Sequence, residues 1–135
     1  MSAQTEQKIL MVEDDREFSK TAGRLLELKG WEVRTAPDVA TARQMLKEST
    51  SDVVLMDIEL PGGNGIDLCR EIRASSDVPV IFISGLKKTD ELVESARGAG
   101  GDAFITKPVN FNELALRVEA LLRRAEKAAK SALGA

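Results

Sequence analysis

Six polar side chains stand at or beside the ends of short apolar segments, and their types suit the binding of a cation and a phosphoryl group. They are Glu13, Asp14, Asp15, Asp57, Ser84 and Lys107. Neighbouring carboxylates repel one another unless a hard cation joins them, and Mg²⁺ prefers a few carboxylates, retained waters and a phosphate oxygen. An ionised carboxylate can itself attack phosphorus to form an aspartyl phosphate. These residue types predict a Mg²⁺ site with Asp57 as the candidate nucleophile.

The remaining polar groups would supply the charge stabilisation that phosphoryl transfer requires. Such transfers depend mainly on positive charge and hydrogen-bond donors around the moving group. Mg²⁺, the Lys107 ammonium and the Ser84 hydroxyl would surround it. Taken singly, these residues also have structural interpretations, because an acidic run is usually a solvated loop and a strand-end serine often bonds to the backbone. Asp15 in particular suits a helix cap or a solvent-facing position.

Five apolar segments must position these groups, and each predicts a β-strand. They are residues 9–12, 31–33, 53–56, 80–83 and 103–105. Continuous rather than alternating apolar residues suit strands that are covered on both faces of a parallel sheet. A segment with helical spacing of apolar residues follows each strand, and Asn110 with Glu113 is typical of a capping box that opens the fifth helix. The order predicts an α/β fold in which the polar strand ends share one edge of the sheet.

Composition excludes several classes of function. The 135 residues contain no histidine and one cysteine, Cys69, which excludes an imidazole base, a phosphohistidine in this chain and an intramolecular disulfide, and argues against a zinc site. The net charge of −3 is not typical of a general nucleic-acid or membrane binder. No apolar run approaches the roughly 20 residues that cross a bilayer. We therefore expect a single soluble, cytoplasmic domain.

Four motifs, in this order, resemble the receiver domains of two-component response regulators. They are KILMVEDD at 8–15, LMDIELPG at 55–62, PVIFISG at 79–85 and FITKP at 104–108. The resemblance implies a flavodoxin-like (βα)5 fold, with a five-stranded parallel sheet of strand order 2-1-3-4-5 and helices on both faces. We accordingly expect a disordered N-terminal lead at 1–7, a receiver domain at 8–124, and a helical extension or the start of a linker at 125–135.

The resemblance also implies a metal site around the phosphoacceptor, Asp57. Its ligands would be Glu13, Asp14, Asp57 itself and the backbone carbonyl of Glu59. The expected ion is Mg²⁺, with Mn²⁺ as an alternative.

The same resemblance assigns the residues that bind the phosphoryl group and respond to it. Ser84 and Lys107 would bind the group, and the Lys107–Pro108 peptide bond would be cis, a geometry that costs little only before proline. Phe104 corresponds to the aromatic residue that turns inward when Ser84 moves towards the phosphate. The sequence departs from the commoner family pattern by having serine instead of threonine at 84 and phenylalanine instead of tyrosine at 104.

The implied function is that of a signalling switch. A sensor histidine kinase or a phosphotransfer protein would donate a phosphoryl group to Asp57, and helix 4, strand 5 and helix 5 would then present a changed surface to an output partner or domain. The chain would accept and lose the group by self-catalysis without being an enzyme in any other sense. Direct contact with nucleic acid or a membrane is not expected. The sequence does not decide whether the same surface forms a homodimer. The winged-helix DNA-binding branch of the family dimerises through charged residues on this surface, but Ala103 stands where that branch usually has a second aspartate.

Two alternative functions share part of this chemistry. A Mg²⁺-dependent phosphatase of the haloacid-dehalogenase type also forms an aspartyl phosphate, but its nucleophile lies on the first strand, whereas here the acidic run 13–15 comes first and Asp57 later. A flavin-binding flavodoxin would need a phosphate loop after the first strand, where this acidic run would repel phosphate. The GGNG segment at 62–65 lacks the lysine that follows in a P-loop, so it predicts a flexible turn.

Overall fold

The computed structural model describes the backbone of residues 6–134 and the side chains of residues 6–131. The strands of the main sheet are β1 (Lys8–Val12), β2 (Glu32–Ala36), β3 (Val53–Asp57), β4 (Val80–Ser84) and β5 (Ala103–Thr106). The helices are α1 (Arg16–Leu28), α2 (Val39–Glu48), α3 (Gly65–Arg73), α4 (Asp90–Gly98) and α5 (Phe111–Gly134). A short antiparallel ribbon pairs Glu59–Leu60 with Gly63–Asn64 between β3 and α3.

The main sheet confirms the predicted topology. All neighbouring strands are parallel, and their order is β2-β1-β3-β4-β5. β3, which ends at Asp57, is therefore central, with β1 on one side and β4 on the other. Parallel neighbours place their carboxyl ends at the same edge, which is where the predicted polar groups follow the strands.

The two faces of the sheet are covered by different helices. Successive side chains of β1, β3 and β4 alternate between the two faces of the sheet. One set packs with α2, α3 and α4, and the other set packs with α1 and α5. Leu10, Val54 and Phe82 lie on the first side, while Met11, Leu55 and Ile81 lie on the second. Since strands buried on both faces need apolar residues at every position, the continuous apolar runs are explained.

The second strand differs from its predicted bounds. Residues 31–33 were expected to form it, but the strand runs from Glu32 to Ala36, and Trp31 precedes it. Arg34 and Thr35 are polar, so hydrophobicity does not reveal that they continue the strand. β2 is an edge strand, and its exposed positions tolerate such residues.

The last helix continues without interruption through the predicted extension. α5 runs to Gly134, and its side chains from Arg123 to Ser131 are exposed. The Gln7 carbonyl accepts a hydrogen bond from the Glu32 amide at 2.9 Å, and Gln7 Nε2 donates to Glu126 Oε1 at 2.7 Å. Residues 1–5 of the expected disordered lead lie outside the described part of the chain. Within the described part, no helix combines the length and the apolar character needed to cross a membrane.

Candidate phosphoryl-acceptor and metal site

The sheet brings the predicted polar residues together at one edge. Asp57 and Ser84 are the last residues of β3 and β4, and Glu13 directly follows β1. Lys107 directly follows β5 and donates its backbone N–H to the Ser84 carbonyl at 2.8 Å. The four side chains therefore come from neighbouring strand ends, with Asp57 on the central strand.

Three carboxylates, including that of Asp57, form an acidic cluster at this edge of the sheet. Glu13, Asp14 and Asp57 each offer one oxygen, and these oxygens lie within 4.8 Å of one another. Glu13 and Asp57 are only 2% and 7% exposed, whereas Asp14 faces solvent. Buried like charges at this separation favour a hard cation, and the exposed side leaves room for the waters that Mg²⁺ retains. The donor set therefore fits Mg²⁺.

Lys107 supplies the positive charge inside this cluster. Its Nζ lies 2.8 Å from Glu13 Oε1 and 3.4 Å from Asp57 Oδ2, and its side chain is 23% exposed. Since the ammonium is largely shielded from water, its interaction with these carboxylates is stronger than that of a surface pair. The Lys107 ammonium therefore lies beside the Asp57 carboxylate.

The pKa values of Glu13 and Lys107 differ from their ordinary values. Burial raises the pKa of Glu13 to about 7, although the hydrogen bonds from Lys107 and from the Asp15 amide oppose the increase. Burial lowers the pKa of Lys107, but its hydrogen bond and attraction to Glu13 outweigh this effect, so the pKa of Lys107 is raised overall. Lys107 therefore stays cationic at neutral pH, while Glu13 changes its charge close to neutrality.

This pKa predicts a pH-dependent affinity for Mg²⁺. A carboxylate must be deprotonated to bind the ion, and a raised pKa lets the proton compete up to the value of about 7 for Glu13. We expect the affinity to rise by up to about tenfold per pH unit below pH 7 and to level off above it. Isothermal titration calorimetry in buffers of different ionisation enthalpy measures both affinity and proton release. An affinity that is unchanged from about pH 5.5 to 7, with no proton released, would contradict the expectation.

Backbone amides donate hydrogen bonds to the side chains of Asp57 and Ser84. The Glu59 amide donates to Asp57 Oδ1 at 3.2 Å, which leaves Asp57 Oδ2 on the side of Lys107. Ser84 is fully buried, and its Oγ accepts a hydrogen bond from the Leu86 amide at 3.0 Å. A hydroxyl that accepts one hydrogen bond can still donate its own proton, so Ser84 retains a hydrogen-bond donor. The Glu59 carbonyl as a metal ligand stays a prediction.

The predicted switch residue, Phe104, lies on β5, where it pairs with Phe82. Phe104 is partly buried against the core under α2, α3 and α4, and Lys88 Nζ lies 6.0 Å from its ring centroid. The Lys107–Pro108 peptide bond is cis. A role for Phe104 and Ser84 in switching stays a prediction.

Two further residues at the site were not predicted from the sequence. A Cβ on Gly65 would overlap the Asp57 carbonyl oxygen and lie 2.7 Å from Met56 Cγ, so only glycine fits against the end of β3. Phe18, in the first turn of α1, has its ring centroid 4.5 Å from Lys107 Nζ. Neither contact produces a periodic pattern in the amino-acid sequence. The only sequence signal was the GGNG segment, which is also typical of ordinary turns.

Asp15, by contrast, serves the structure, as one interpretation predicted. Its carboxylate caps α1 by accepting from the Phe18 amide at 3.1 Å, and its own amide donates to Glu13 Oε2 at 3.1 Å. Asp15 thus orients a buried member of the acidic cluster. It is not among the three carboxylates that form the cluster.

Sequence comparison matches this chain to a family of known proteins. The family model for the response regulator receiver domain matches residues 9–119. The chain is 35% identical over 120 residues to the nisin biosynthesis regulatory protein NisR of Lactococcus lactis subsp. lactis, covering 89% of this chain and 52% of that protein. It is 41% identical over 117 residues to the uncharacterized transcriptional regulatory protein YrkP of Bacillus subtilis (strain 168), covering 87% and 50%. The chain spans about half the length of these curated relatives.

Solved structures with the same fold give the same assignment. A two-component response regulator from Clostridium difficile superposes with a TM-score of 0.85 at 28% identity, covering 89% of this chain and 98% of that one. A CheY-like receiver domain protein from Methanospirillum hungatei JF-1 superposes with a TM-score of 0.86 at 27% identity, covering 92% and 99%. The chain therefore belongs to the response regulator receiver domain family.

Proposed function

We propose that this chain is a phosphorylation-dependent switch in which Asp57 accepts a phosphoryl group from a phosphohistidine of a sensor histidine kinase or phosphotransfer protein. The observation that carries the proposal is the position of the Asp57 carboxylate. It is buried at the end of the central strand, 3.4 Å from the Lys107 ammonium and beside the carboxylates of Glu13 and Asp14. A structural aspartate has no need for a neighbouring acidic cluster that repels it.

The reaction follows from these contacts. One carboxylate oxygen of Asp57 forms a bond to phosphorus while the phosphorus–nitrogen bond to the donor imidazole breaks, and the nitrogen keeps the bonding electrons. Lys107, 3.4 Å from Asp57 Oδ2, would bind a phosphoryl oxygen and offset its charge. The Ser84 hydroxyl would donate to another oxygen. Mg²⁺, or Mn²⁺, held by Glu13, Asp14, Asp57 and the Glu59 carbonyl would supply further charge neutralisation.

The output of the switch would be a changed protein surface. Ser84 ends β4 and Phe104 lies on the neighbouring β5, where Phe82 is its paired residue. Movement of Ser84 towards the phosphoryl group would let the Phe104 ring turn inward and alter the face of α4, β5 and α5. This face would contact an output partner or domain, or a second copy of the chain. The domain itself would act in the cytoplasm and would not contact nucleic acid or a membrane.

Phosphorylation by a small donor tests this proposal. We expect the purified protein, incubated with acetyl phosphate and Mg²⁺, to gain one phosphoryl group by intact-mass spectrometry, and to gain it far more slowly when EDTA replaces Mg²⁺. A phosphorylated histidine kinase serves as a second donor. No gain with either donor would contradict the proposal. Release of many phosphates per protein from acetyl phosphate, without a lasting gain in mass, would instead favour the phosphatase alternative.

A further inference from the structure

The ammonium of Lys107 has an aromatic neighbour in addition to its two carboxylates. Phe18, in the first turn of α1, places its ring centroid 4.5 Å from Lys107 Nζ. This distance is within the range of about 6 Å in which a cation is attracted to the face of a ring. With the side chain of Lys107 only 23% exposed, the contact lies in a partly dry environment where such attraction is strongest.

Two contacts position Phe18, one through its backbone and one through its ring. The Phe18 amide donates to the Asp15 carboxylate that caps α1 at 3.1 Å, which sets the backbone of this turn. The Phe18 ring packs against the ring of Phe111, the first residue of α5, with centroids 5.8 Å apart and planes tilted by 34°. Phe111 is four residues after Lys107, so the two rings connect the start of α1 to the segment that carries the lysine.

We propose that Phe18 is a positioning residue that holds the Lys107 ammonium beside Asp57 by a cation–π interaction and thereby speeds phosphoryl acceptance. The inference rests on the proposed function, because it concerns the rate of that same reaction. Lys107 Nζ is closer to Glu13 Oε1 than to Asp57 Oδ2, at 2.8 Å against 3.4 Å. The two carboxylates compete for the ammonium, and a third contact restricts its movement between them. The ring attracts the ammonium without carrying a charge that competes for a metal ion.

The test varies the electrostatics of the ring at nearly constant shape. Mono-, di- and trifluorinated phenylalanine are incorporated at position 18, since each fluorine withdraws electron density and weakens cation attraction. The rate of phosphorylation by acetyl phosphate, measured by intact mass in saturating Mg²⁺, is expected to fall stepwise along the series. Phe18→Leu is expected to be about threefold to tenfold slower than wild type, and Phe18→Tyr to retain most of the rate.

Two controls separate positioning from packing. The same fluorinated residues at Phe111, whose ring contacts Phe18, are expected to leave the rate within about twofold of wild type, because electrostatic effects decline with distance. In a Lys107→Met background, Phe18→Leu is expected to cause no further loss, because residues that act through one interaction are not additive. Thermal unfolding of each variant checks that the domain remains folded.

The outcomes distinguish failure of this inference from failure of the proposed function. If the wild-type protein gains no phosphoryl group from any donor, the proposed function fails, and this inference fails with it. If the wild-type protein is phosphorylated but the fluorinated series at position 18 keeps a constant rate, only the role of Phe18 is overturned. A slow Phe18→Leu with a flat fluorinated series would show that the ring only fills space, which also overturns the inference.

Discussion

Asp57→Asn is expected to abolish phosphoryl acceptance while leaving the fold intact. Asparagine has nearly the same shape as aspartate, but its amide is not a nucleophile that forms an acyl phosphate. The substitution also removes one of three clustered carboxylates, so the apo protein should not lose stability through a new charge imbalance. Intact mass after incubation with acetyl phosphate and Mg²⁺ should show no added phosphoryl group, while wild type gains one.

A matched aspartate provides the control. Asp77 is exposed and precedes β4, at the opposite end of the sheet from the acidic cluster. Asp77→Asn should be phosphorylated at the rate of wild type. Full phosphorylation of Asp57→Asn would place the acceptor elsewhere, and equal loss in both variants would mean that the assay does not report on the acceptor.

Gly65→Ala is expected to cost about 3 kcal/mol of unfolding free energy, or roughly 10 °C in Tm, because the added methyl group has no space. Its Cβ would overlap the Asp57 carbonyl oxygen, which is part of the central strand and cannot rotate away. It would also lie 2.7 Å from Met56 Cγ. Moving the start of α3 to relieve the overlap would break the hydrogen bond from the Gly65 amide to the Ile58 carbonyl, now 2.7 Å.

Gly98→Ala is the matched control for this substitution. Gly98 is the last residue of α4, and a Cβ there would meet no atom within 4 Å. Alanine is favoured over glycine in helices, so the variant should be as stable as wild type or more stable by up to about 1 kcal/mol. Chemical denaturation of both variants measures the difference. Similar, small changes in the free energy of unfolding for both variants would contradict the close approach of α3 to β3.

Much of the fold could be predicted because the central strands carry an unambiguous pattern. β1, β3 and β4 are apolar at nearly every position, and helix-length segments separate them, which limits the chain to a parallel sheet with helices on both faces. The edge strand β2 was displaced because its polar residues resemble a loop. The ribbon of Glu59–Leu60 and Gly63–Asn64 is too short to leave any periodic pattern, and the sequence predicted only a flexible turn at residues 62–65.

The site was predictable to the extent that topology alone determines it. Asp57 and Ser84 end strands and Glu13 and Lys107 follow them, and parallel strands bring such residues together whatever their side-chain conformations. The contacts of Phe18 and Gly65 depend instead on how two helices approach the sheet. That approach is set by packing of the whole core, which spacing along the sequence does not describe.

The location of the added phosphoryl group tests the central claim most directly. Wild-type protein is phosphorylated with acetyl phosphate and Mg²⁺, reduced with sodium borohydride to convert an acyl phosphate into an alcohol, and analysed by peptide mass spectrometry. If the acceptor is Asp57, the buried carboxylate of the acidic cluster that lies beside Lys107, homoserine is expected at position 57 and at no other aspartate. Unmodified aspartate at position 57 in protein that carries a phosphoryl group would contradict the account.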